Sequence, residues 1–257
     1  MQKIIFISGA TSGFGKACAY KFAAAGHKLI INGRRQERLF EIAKEIEKKY
    51  NTAVMPLTFD VRDENAVFEK INNVPQEWKN IDVLVNNAGL ALGRDYFEEA
   101  SLEDWNIMID TNIKGFLYVA KAVSQIMAAK NNNAGCKGHI INLGSVAGKD
   151  VYDRGNVYCG TKFAVDAISK AMRVDLLRHQ IKVTAIHPGA AETEFSLVRF
   201  KGDEATAKSV YDGLNPLTAE DVADTIFYCA TLPENVCIND LTITCLRQAN
   251  GIYFNRE

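Results

Sequence analysis

The sequence predicts an α/β protein with a doubly wound (Rossmann) fold, in which a parallel sheet of about seven strands carries helices on both faces. Short β-rich runs alternate with helical patterns along the whole chain, as βαβ crossovers require. The strands are also apolar on both sides, which is typical of a sheet buried on both faces; examples are Val83-Leu84-Val85 and His139-Ile140-Ile141. No linker rich in Pro, Gly or Ser divides the chain, so residues 1–257 are expected to form a single domain.

The first half of the chain alternates four strands with three helices. The strands are predicted at 3–8, 28–32, 53–59 and 81–86. The first helix, over 16–25, follows a glycine-rich turn and is expected to end at Gly26. The second, over 36–50, has apolar residues at the i, i+3, i+4, i+7 spacing of one buried face, namely Leu39, Ile42, Ala43 and Ile46. A third helix is expected near 64–73.

The second half continues the alternation with longer helical patterns. Helices are predicted at roughly 102–129, 156–178 and 218–231. Strands are predicted at 139–143, 182–186 and about 241–246. The polar segment 131–138 joins a helix to a strand and is expected to be a surface loop without a catalytic role.

Composition and charge exclude several classes of protein. The 257 residues include 30 basic and 31 acidic side chains, and a net charge of -1 gives no electrostatic case for nucleic acid as the main partner. With 47% hydrophobic and 24% charged residues, intrinsic disorder is excluded. No apolar run approaches the ~20 residues that span a bilayer, and the N-terminal run lacks a cleavage-site pattern. We therefore expect a cytoplasmic protein that binds neither nucleic acid nor membrane.

The cysteines do not form a metal or redox motif. No pair has the two-residue separation of a zinc knuckle or a redox centre, and the four histidines do not cluster with them. We expect reduced, mostly packed thiols and no metal site. The six cysteines are Cys18, Cys136, Cys159, Cys229, Cys237 and Cys245.

A glycine-rich turn lies between the first strand and the first helix. Its glycines are Gly9, Gly13 and Gly15. In this position the N–H groups and the positive dipole end of the helix can hold a pyrophosphate, and a Cβ would block its close approach. A P-loop is excluded because the glycine spacing is wrong and Ala17 stands where Ser or Thr would bind magnesium. The turn therefore predicts a dinucleotide site.

The end of the second strand predicts which dinucleotide binds. A site for NAD(H) usually places an acid here to accept from the ribose 2′-OH, but this chain has Arg34 and Arg35 instead. Two guanidinium groups suit a 2′-phosphate, and cations at a helix N-terminus are otherwise unfavourable. NADP(H) is therefore the predicted cofactor.

Several polar motifs follow strands whose carboxyl ends meet at one edge of the predicted sheet, where doubly wound folds bind ligands. Tyr158 and Lys162 share one face of a helix at i, i+4, and Ser145 follows the preceding strand. Asn86-Asn87-Ala88-Gly89 and Pro188-Gly189 also follow strands. Their coincidence at one edge predicts an active site for a small-molecule substrate.

On these motifs, together with Asp60-Val61, Asn112 and Thr193, the chain resembles the short-chain dehydrogenase/reductase family over essentially its whole length. Within the family it is similar to bacterial NADP-dependent 3-hydroxy acid dehydrogenases, also described as serine or L-allo-threonine dehydrogenases and malonic semialdehyde reductases. That narrower resemblance rests on the segments 33–39, 87–93, 193–196 and 198–203.

The resemblance implies a catalytic tetrad of Asn112, Ser145, Tyr158 and Lys162. Tyr158 would exchange a proton with the substrate oxygen, and the Lys162 ammonium and the oxidised nicotinamide would lower its pKa from the ordinary value of ~10. Ser145 would bind the same oxygen, and Asn112 would hold a water that links Lys162 to solvent. Lys162 would also bind the nicotinamide ribose.

The resemblance also implies cofactor contacts. Asp60 and Val61 would contact adenine, Asn87 the adjoining ribose, and Thr193 the carboxamide or pyrophosphate region. The full set of predicted cofactor residues is Gly9, Thr11, Ser12, Gly13, Phe14, Gly15, Arg34, Arg35, Asp60, Val61, Asn87, Ala88, Gly89, Tyr158, Lys162, Pro188, Gly189 and Thr193. Members of the family usually form homotetramers through the helices near 102–129 and 156–178.

Three functions remain open at this point. The first is an oxidoreductase for short 3-hydroxy acids, the second an NADPH-dependent carbonyl reductase for uncharged ketones or aldehydes. The third is a non-catalytic protein that senses NADP(H). Arg154, Arg199 or Lys201 could bind a substrate carboxylate or could be solvated. His187 is interpreted as a loop histidine and Cys159 as a packed thiol, neither with a catalytic role.

Overall fold

The computed structural model describes residues 2–131 and 135–256. The described residues contain one sheet of seven strands, all parallel, in the order β3-β2-β1-β4-β5-β6-β7. The prediction of a doubly wound sheet is therefore confirmed. The strands are β1 (Ile4–Ile7), β2 (Lys28–Gly33), β3 (Val54–Thr58), β4 (Ile81–Asn86), β5 (Gly138–Leu143), β6 (Ile181–Pro188) and β7 (Asp240–Ile243).

The helices between the strands lie where the periodicity predicts them, with two differences. The helix predicted at 102–129 is interrupted by a π-helical stretch, Asp110–Gly115, and two short helices after β6 carry no apolar period and were not predicted. The predicted loop at 131–138 lies partly outside the described residues. The helices are α1 (Gly13–Ala24), α2 (Gln36–Tyr50), α3 (Glu64–Asn72), α4 (Leu102–Ile109), α5 (Phe116–Ala128), α6 (Asn156–Leu176), α7 (Glu194–Arg199), α8 (Glu204–Ser209) and α9 (Ala219–Thr231).

Alternate residues of the inner strands enter two different cores. In β1, Ile5 and Ile7 pack with α1, α2 and α9 on one face, while Phe6 packs with α3 and α5 on the other. The neighbouring strands repeat this period of two, because successive side chains of a strand point to opposite faces. Both faces are thus dry, which accounts for strands that are apolar on both sides.

Local signals fix where several helices begin. Thr218 and Asp221 form a reciprocal capping box at the start of α9, and the side chains of Asp63 and Ser101 cap α3 and α4. The sheet order also fixes where a ligand can bind. Strand β1 pairs with β2 on one side and β4 on the other, so the chain reverses its direction of winding there and leaves a crevice at the carboxyl ends.

Candidate active site

A cleft of about 930 Å³ lies at the carboxyl ends of the strands. Its volume suits a dinucleotide together with a small substrate, since ligand pockets commonly measure ~300–1,000 Å³. Almost all predicted site residues line it. They are Gly9, Thr11, Ser12, Gly13, Phe14, Arg34, Arg35, Asp60, Val61, Asn87, Ala88, Gly89, Ser145, Tyr158, Lys162, Pro188, Gly189 and Thr193.

Two predicted residues do not line the cleft, Gly15 and Asn112. Gly15 lies beneath the turn, where an added Cβ would come within 2.3 Å of the Gly9 carbonyl oxygen, so its role is close packing of helix against turn. Asn112 is buried in the π-helical stretch. Its side chain accepts from Leu90 N at 2.8 Å and donates to Leu90 O at 2.7 Å and to Thr161 Oγ1 at 3.1 Å. Asn112 therefore anchors the chain after β4.

The glycine-rich turn forms a backbone cradle at the N-terminus of α1. Gly9 and Gly13 adopt positive φ angles of 68° and 49°, which a side chain would strain. At Gly9 a Cβ would also come within 2.9 Å of Ala88 Cα. Because these glycines line the cleft at the start of α1 and carry no side chain, the turn fits the pyrophosphate of a dinucleotide.

The turn is tied to the segment that follows β4. The buried Ser8 hydroxyl accepts from the backbone N–H groups of Asn87 and Ala88 at 2.9 and 3.0 Å. Asn87 Nδ2 donates to the carbonyls of Ser8 and Gly9 at 2.9 and 3.1 Å. These bonds make the two motifs one rigid wall of the cleft.

At the predicted phosphate site, the arginines lie next to acidic side chains from other parts of the sequence. Arg35 donates to Thr11 Oγ1 at 3.0 Å and pairs with Glu194 at 3.1 Å, while Arg34 lies 3.7 Å from Asp60 and is more than half exposed. Asp60 is bonded more closely by Arg62, at 2.7 Å. Burial works against it, but the Arg62 bonds and the Arg34 charge hold the pKa of Asp60 below its usual value. The cations exceed the acids here, which fits a phosphate.

Ser145 and Tyr158 meet in the cleft. Ser145 follows β5 in extended conformation, its hydroxyl accepts from Ala147 N at 3.1 Å, and it lowers the pKa of the neighbouring Tyr158 side chain. The Tyr158 ring packs against Phe195, with ring centroids 5.7 Å apart. Two hydroxyls are thus held side by side at the place where a carbonyl oxygen could bind both.

Burial has the largest effect on the pKa of Tyr158. Burial raises it above its ordinary value, and Tyr152 adds to this, whereas the Ser145 bond and the Arg199 charge oppose it. The Lys162 Nζ donates to the Leu143 carbonyl at 3.0 Å. Tyr158 is therefore a neutral phenol, the form that donates a proton.

Lys162 is buried, and burial lowers its pKa to about 8. Lys162 Nζ and Asn112 Oδ1 both lie close to Gly89, which follows β4. A Cβ added at Gly89 would be 3.7 Å from Nζ and 3.3 Å from Oδ1. A lysine with this pKa exchanges its proton near neutral pH, as a proton relay requires.

His187 lies in β6 and not in a loop, which corrects the sequence interpretation. It is fully buried; Nδ1 lies 3.3 Å from the Ser145 carbonyl and Nε2 3.2 Å from Asp240 Oδ2. Side-chain atoms of His187, Asp166 and Asp240 lie within 4.8 Å of one another. The Lys149 ammonium lies 2.9 and 2.8 Å from the two carboxylates and Lys170 lies 2.7 Å from Asp166, so two lysines already balance the two acids. The network supports Ser145 from behind.

Cys159 is buried, and burial raises the pKa of its thiol, so it stays protonated at neutral pH. Of the three basic residues left open by the sequence, two are paired with acids. Lys201 lies 2.8 Å from Asp104, and Arg154 lies 2.9 Å from Asp153. Arg199, in contrast, lines the cleft.

Sequence reasoning missed several lining residues. They are Arg62, Arg94, Tyr152, Phe195, Gln248 and Arg256. Gln248 belongs to the C-terminal segment, which folds back so that its Oε1 accepts from Ala190 N at 2.7 Å. No local pattern marks such residues, because long-range folding alone brings them to the cleft. Two of these residues, Arg62 and Arg94, lie close to a recognised motif in the sequence: Arg62 follows Asp60-Val61, and Arg94 follows Gly89.

Comparison with known proteins identifies the family. A family model described as short chain dehydrogenase matches residues 3–203. The chain belongs to this family. It is 46% identical over 251 residues to sulfoacetaldehyde reductase 2 of Chromohalobacter salexigens, covering 97% of this chain and 96% of that one. It is 45% identical over 256 residues to the NADP-dependent 3-hydroxy acid dehydrogenase of Escherichia coli strain K12, covering 99% and 100%.

A solved structure leads to the same family. The closed form of serine dehydrogenase complexed with NADP⁺ matches with a TM-score of 0.89 and 43% sequence identity, over 99% of this chain and 100% of that chain. The resemblance inferred from the motifs is thereby confirmed, and this short chain dehydrogenase is an oxidoreductase. In the described part of the chain, no helix is long and apolar enough to cross a membrane.

Proposed function

We propose that this short chain dehydrogenase is a single-domain, NADP(H)-dependent oxidoreductase. Its substrates are short 3-hydroxy acids of the L-serine, L-allo-threonine and 3-hydroxypropionate type, and the corresponding semialdehydes. The observation that carries the proposal is the convergence, in one cleft, of a phosphate-binding turn with the Ser145–Tyr158 pair and the buried Lys162. The relatives named for NADP dependence and for 3-hydroxy acids support both cofactor and substrate.

The cofactor fits residues that the structure describes. The turn from Gly9 to Gly13 would hold the pyrophosphate, and Arg34, Arg35 and Arg62 would surround the adenosine end with its 2′-phosphate. NADPH, when bound, supplies the hydride for reduction, and NADP⁺ accepts one in the reverse direction. A phosphate in this place would relieve the mutual repulsion of the arginines.

In the reductive direction the protein supplies the proton and stabilises the developing charge on the substrate oxygen. Ser145 donates a hydrogen bond to this oxygen, and Tyr158, a neutral phenol, gives it a proton. Lys162 then returns a proton towards Tyr158, since its pKa of about 8 lets it lose and regain one near neutral pH. In the oxidative direction Tyr158 must become a phenolate, which needs a nearby positive charge to offset its burial.

The test compares wild type with Tyr158→Phe, which keeps the ring packed on Phe195 and removes the hydroxyl. Malonic semialdehyde reduction is followed by NADPH absorbance, and oxidation of L-serine or L-allo-threonine by the absorbance of the NADPH formed. We expect a loss of kcat of roughly 100-fold or more, the usual contribution of a general acid. Tyr228→Phe, at an exposed position of α9, is the matched control and should keep the wild-type rate.

Three outcomes would contradict the proposal. Wild-type rates in Tyr158→Phe would refute the assignment of the proton donor. Equal or faster turnover of uncharged ketones would favour a general carbonyl reductase. NADPH binding without turnover of any carbonyl would favour a sensor. Repeating the assays with NADH tests the cofactor preference, and we expect NADPH to be preferred.

A homotetramer in the cytoplasm is part of the same proposal. The structural support is exposed apolar surface on α5 and α6, which belong to the region through which family members usually assemble. On α5 and α6, Leu117, Phe163 and Val174 are exposed, and Leu177 follows at the end of α6. Exposed apolar residues on these two helices favour an interface. A monomer in size-exclusion chromatography would refute it.

A further inference from the structure

The substrate end of the cleft contains two arginines around one aromatic ring. Arg199 is the last residue of α7, and its Nη1 donates to the Tyr152 hydroxyl at 2.9 Å. Its Cζ lies 5.5 Å from the Tyr152 ring centroid, and Cζ of Arg94 lies 5.9 Å from the same centroid. Both arginines and Tyr152 line the cleft.

Arg199 is held in place from the segment after β4. Its backbone carbonyl accepts from Gly93 N at 2.9 Å, and its Nε donates to the Gly93 carbonyl at 3.3 Å. Its Cζ lies 5.4 Å from the ring centroid of Tyr158, so the guanidinium is next to the side chain of the proposed proton donor. A ligand that touches both must be short.

Neither arginine of this pair forms a direct ion pair with an acid in the described part of the chain. In the described residues no carboxylate lies within ion-pair distance of Arg94 or Arg199, whereas the nearby Arg154 and Lys201 each have one. The contacts of Arg199 are to neutral oxygens, and its guanidinium has five N–H groups, so donors remain for a ligand. Burial lowers the pKa of Arg94, and the charge of Arg199 lowers it further, whereas Asp153 opposes this effect.

We propose that Arg94 and Arg199 form an anion subsite that binds the oxyanion head group of the substrate and holds the reacting carbon at Ser145 and Tyr158. This inference rests on the proposed function and specifies its substrate class: a short carbonyl compound or alcohol with a terminal carboxylate or sulfonate. Two planar guanidinium groups suit either, because each can make paired hydrogen bonds to two oxygens. Tyr152 orients Arg199 and separates the two cations.

The experiment measures kcat/KM with NADPH for three aldehydes: malonic semialdehyde, sulfoacetaldehyde and uncharged propanal. The variants are Arg94→Gln and Arg199→Gln, and Arg154→Gln is the matched control, because Arg154 is a neighbouring arginine outside the cleft. Arg199 contacts the Tyr158 ring, so Arg199→Gln can affect every substrate. The informative quantity is therefore the ratio of kcat/KM for an anionic aldehyde to that for propanal.

We expect each cleft variant to lower this ratio by about 10- to 100-fold, as the loss of a charge-assisted hydrogen bond predicts. Arg154→Gln should leave it within about twofold, as exposed ion pairs contribute little. In parallel, binding of 3-hydroxypropionate and 2-hydroxyethanesulfonate to the NADPH complex should weaken in the cleft variants when measured by calorimetry.

The outcomes separate this subsite from the proposed function. Preference for malonic semialdehyde supports both, whereas preference for sulfoacetaldehyde supports the subsite and refutes the 3-hydroxy acid assignment. A ratio unchanged in both cleft variants overturns the subsite even if the enzyme acts on 3-hydroxy acids. A ratio that falls equally in Arg154→Gln also overturns it, because the effect would then be one of general charge.

Discussion

The close contact between α1 and the glycine-rich turn predicts that Gly15→Ala damages both stability and cofactor binding. The new Cβ would lie 2.3 Å from the Gly9 carbonyl oxygen and 2.6 Å from Asn87 Nδ2, where ordinary contact begins at 3.4 Å. Helix and turn must therefore separate by roughly 1 Å. Such overpacking costs ~1–3 kcal/mol, and the higher helix propensity of alanine offsets only ~0.5–1 kcal/mol of it. We expect a net loss of about 1–2 kcal/mol in the free energy of unfolding.

Urea unfolding measures this stability loss, and a fluorescence titration with NADPH measures the Kd. Because Asn87 binds the carbonyls of the turn, the same displacement should weaken NADPH binding about tenfold, the equivalent of ~1.4 kcal/mol. Gly160→Ala is the matched control, since Gly160 is exposed within α6 and a Cβ added there would meet no atom within 4 Å. There we expect ~0.5–1 kcal/mol of added stability. Equal stability and Kd in wild type and Gly15→Ala would refute the reasoning.

Two further predictions concern pH. Burial lowers the pKa of Lys162 to about 8 from 10.5, so the folded state binds fewer protons above pH 8 and gains stability as the pH rises. Between pH 8 and 9.5 urea unfolding should show a gain of roughly 1–2 kcal/mol that is missing in Lys162→Met, and parallel curves would contradict it. Burial lowers the pKa of His139 to about 3 from 6.5, so stability falls as the pH drops below 6.5. At pH 5 this loss is about 2 kcal/mol, and it should be absent in His139→Gln; the same acid curve in both proteins would contradict the prediction.

Periodicity predicted the sheet and its main helices because each element signals its own burial. Ile5 and Ile7 pack into one core and Phe6 into the other. The four apolar residues of α2 pack into the same core as Ile5 and Ile7. The break in the helix at Asp110–Gly115 has no such signal. Asn112 lies there, and its bonds to Leu90 and Thr161 depend on segments distant in sequence.

The candidate site was predicted where a motif fixes the backbone, and it was missed where only tertiary contacts do. Gly9, Ser145 and Tyr158 belong to local motifs at strand or helix ends, so their meeting in one cleft follows from the topology. His187 lies behind Ser145, and Gln248 contacts Ala190. Predicting these contacts requires knowing where β6 and the C-terminal segment run in the fold. Burial raises the pKa of Tyr158, and this burial cannot be predicted from a motif that contains only the charged neighbour.

Helix α7 explains why residues of a recognised sequence segment could not be given their roles from the sequence. A helix of six residues is only marginally stable by itself, and only Phe195 packs it against a buried cluster. Thr193 caps its start, and its first residue, Glu194, pairs with Arg35 and Arg38 at the cofactor end of the cleft. Its last residue, Arg199, is bonded to Gly93 and Tyr152 at the substrate end. Because polar contacts at both ends create this helix, its residues could be named from the sequence only as candidates, and their partners decide their role.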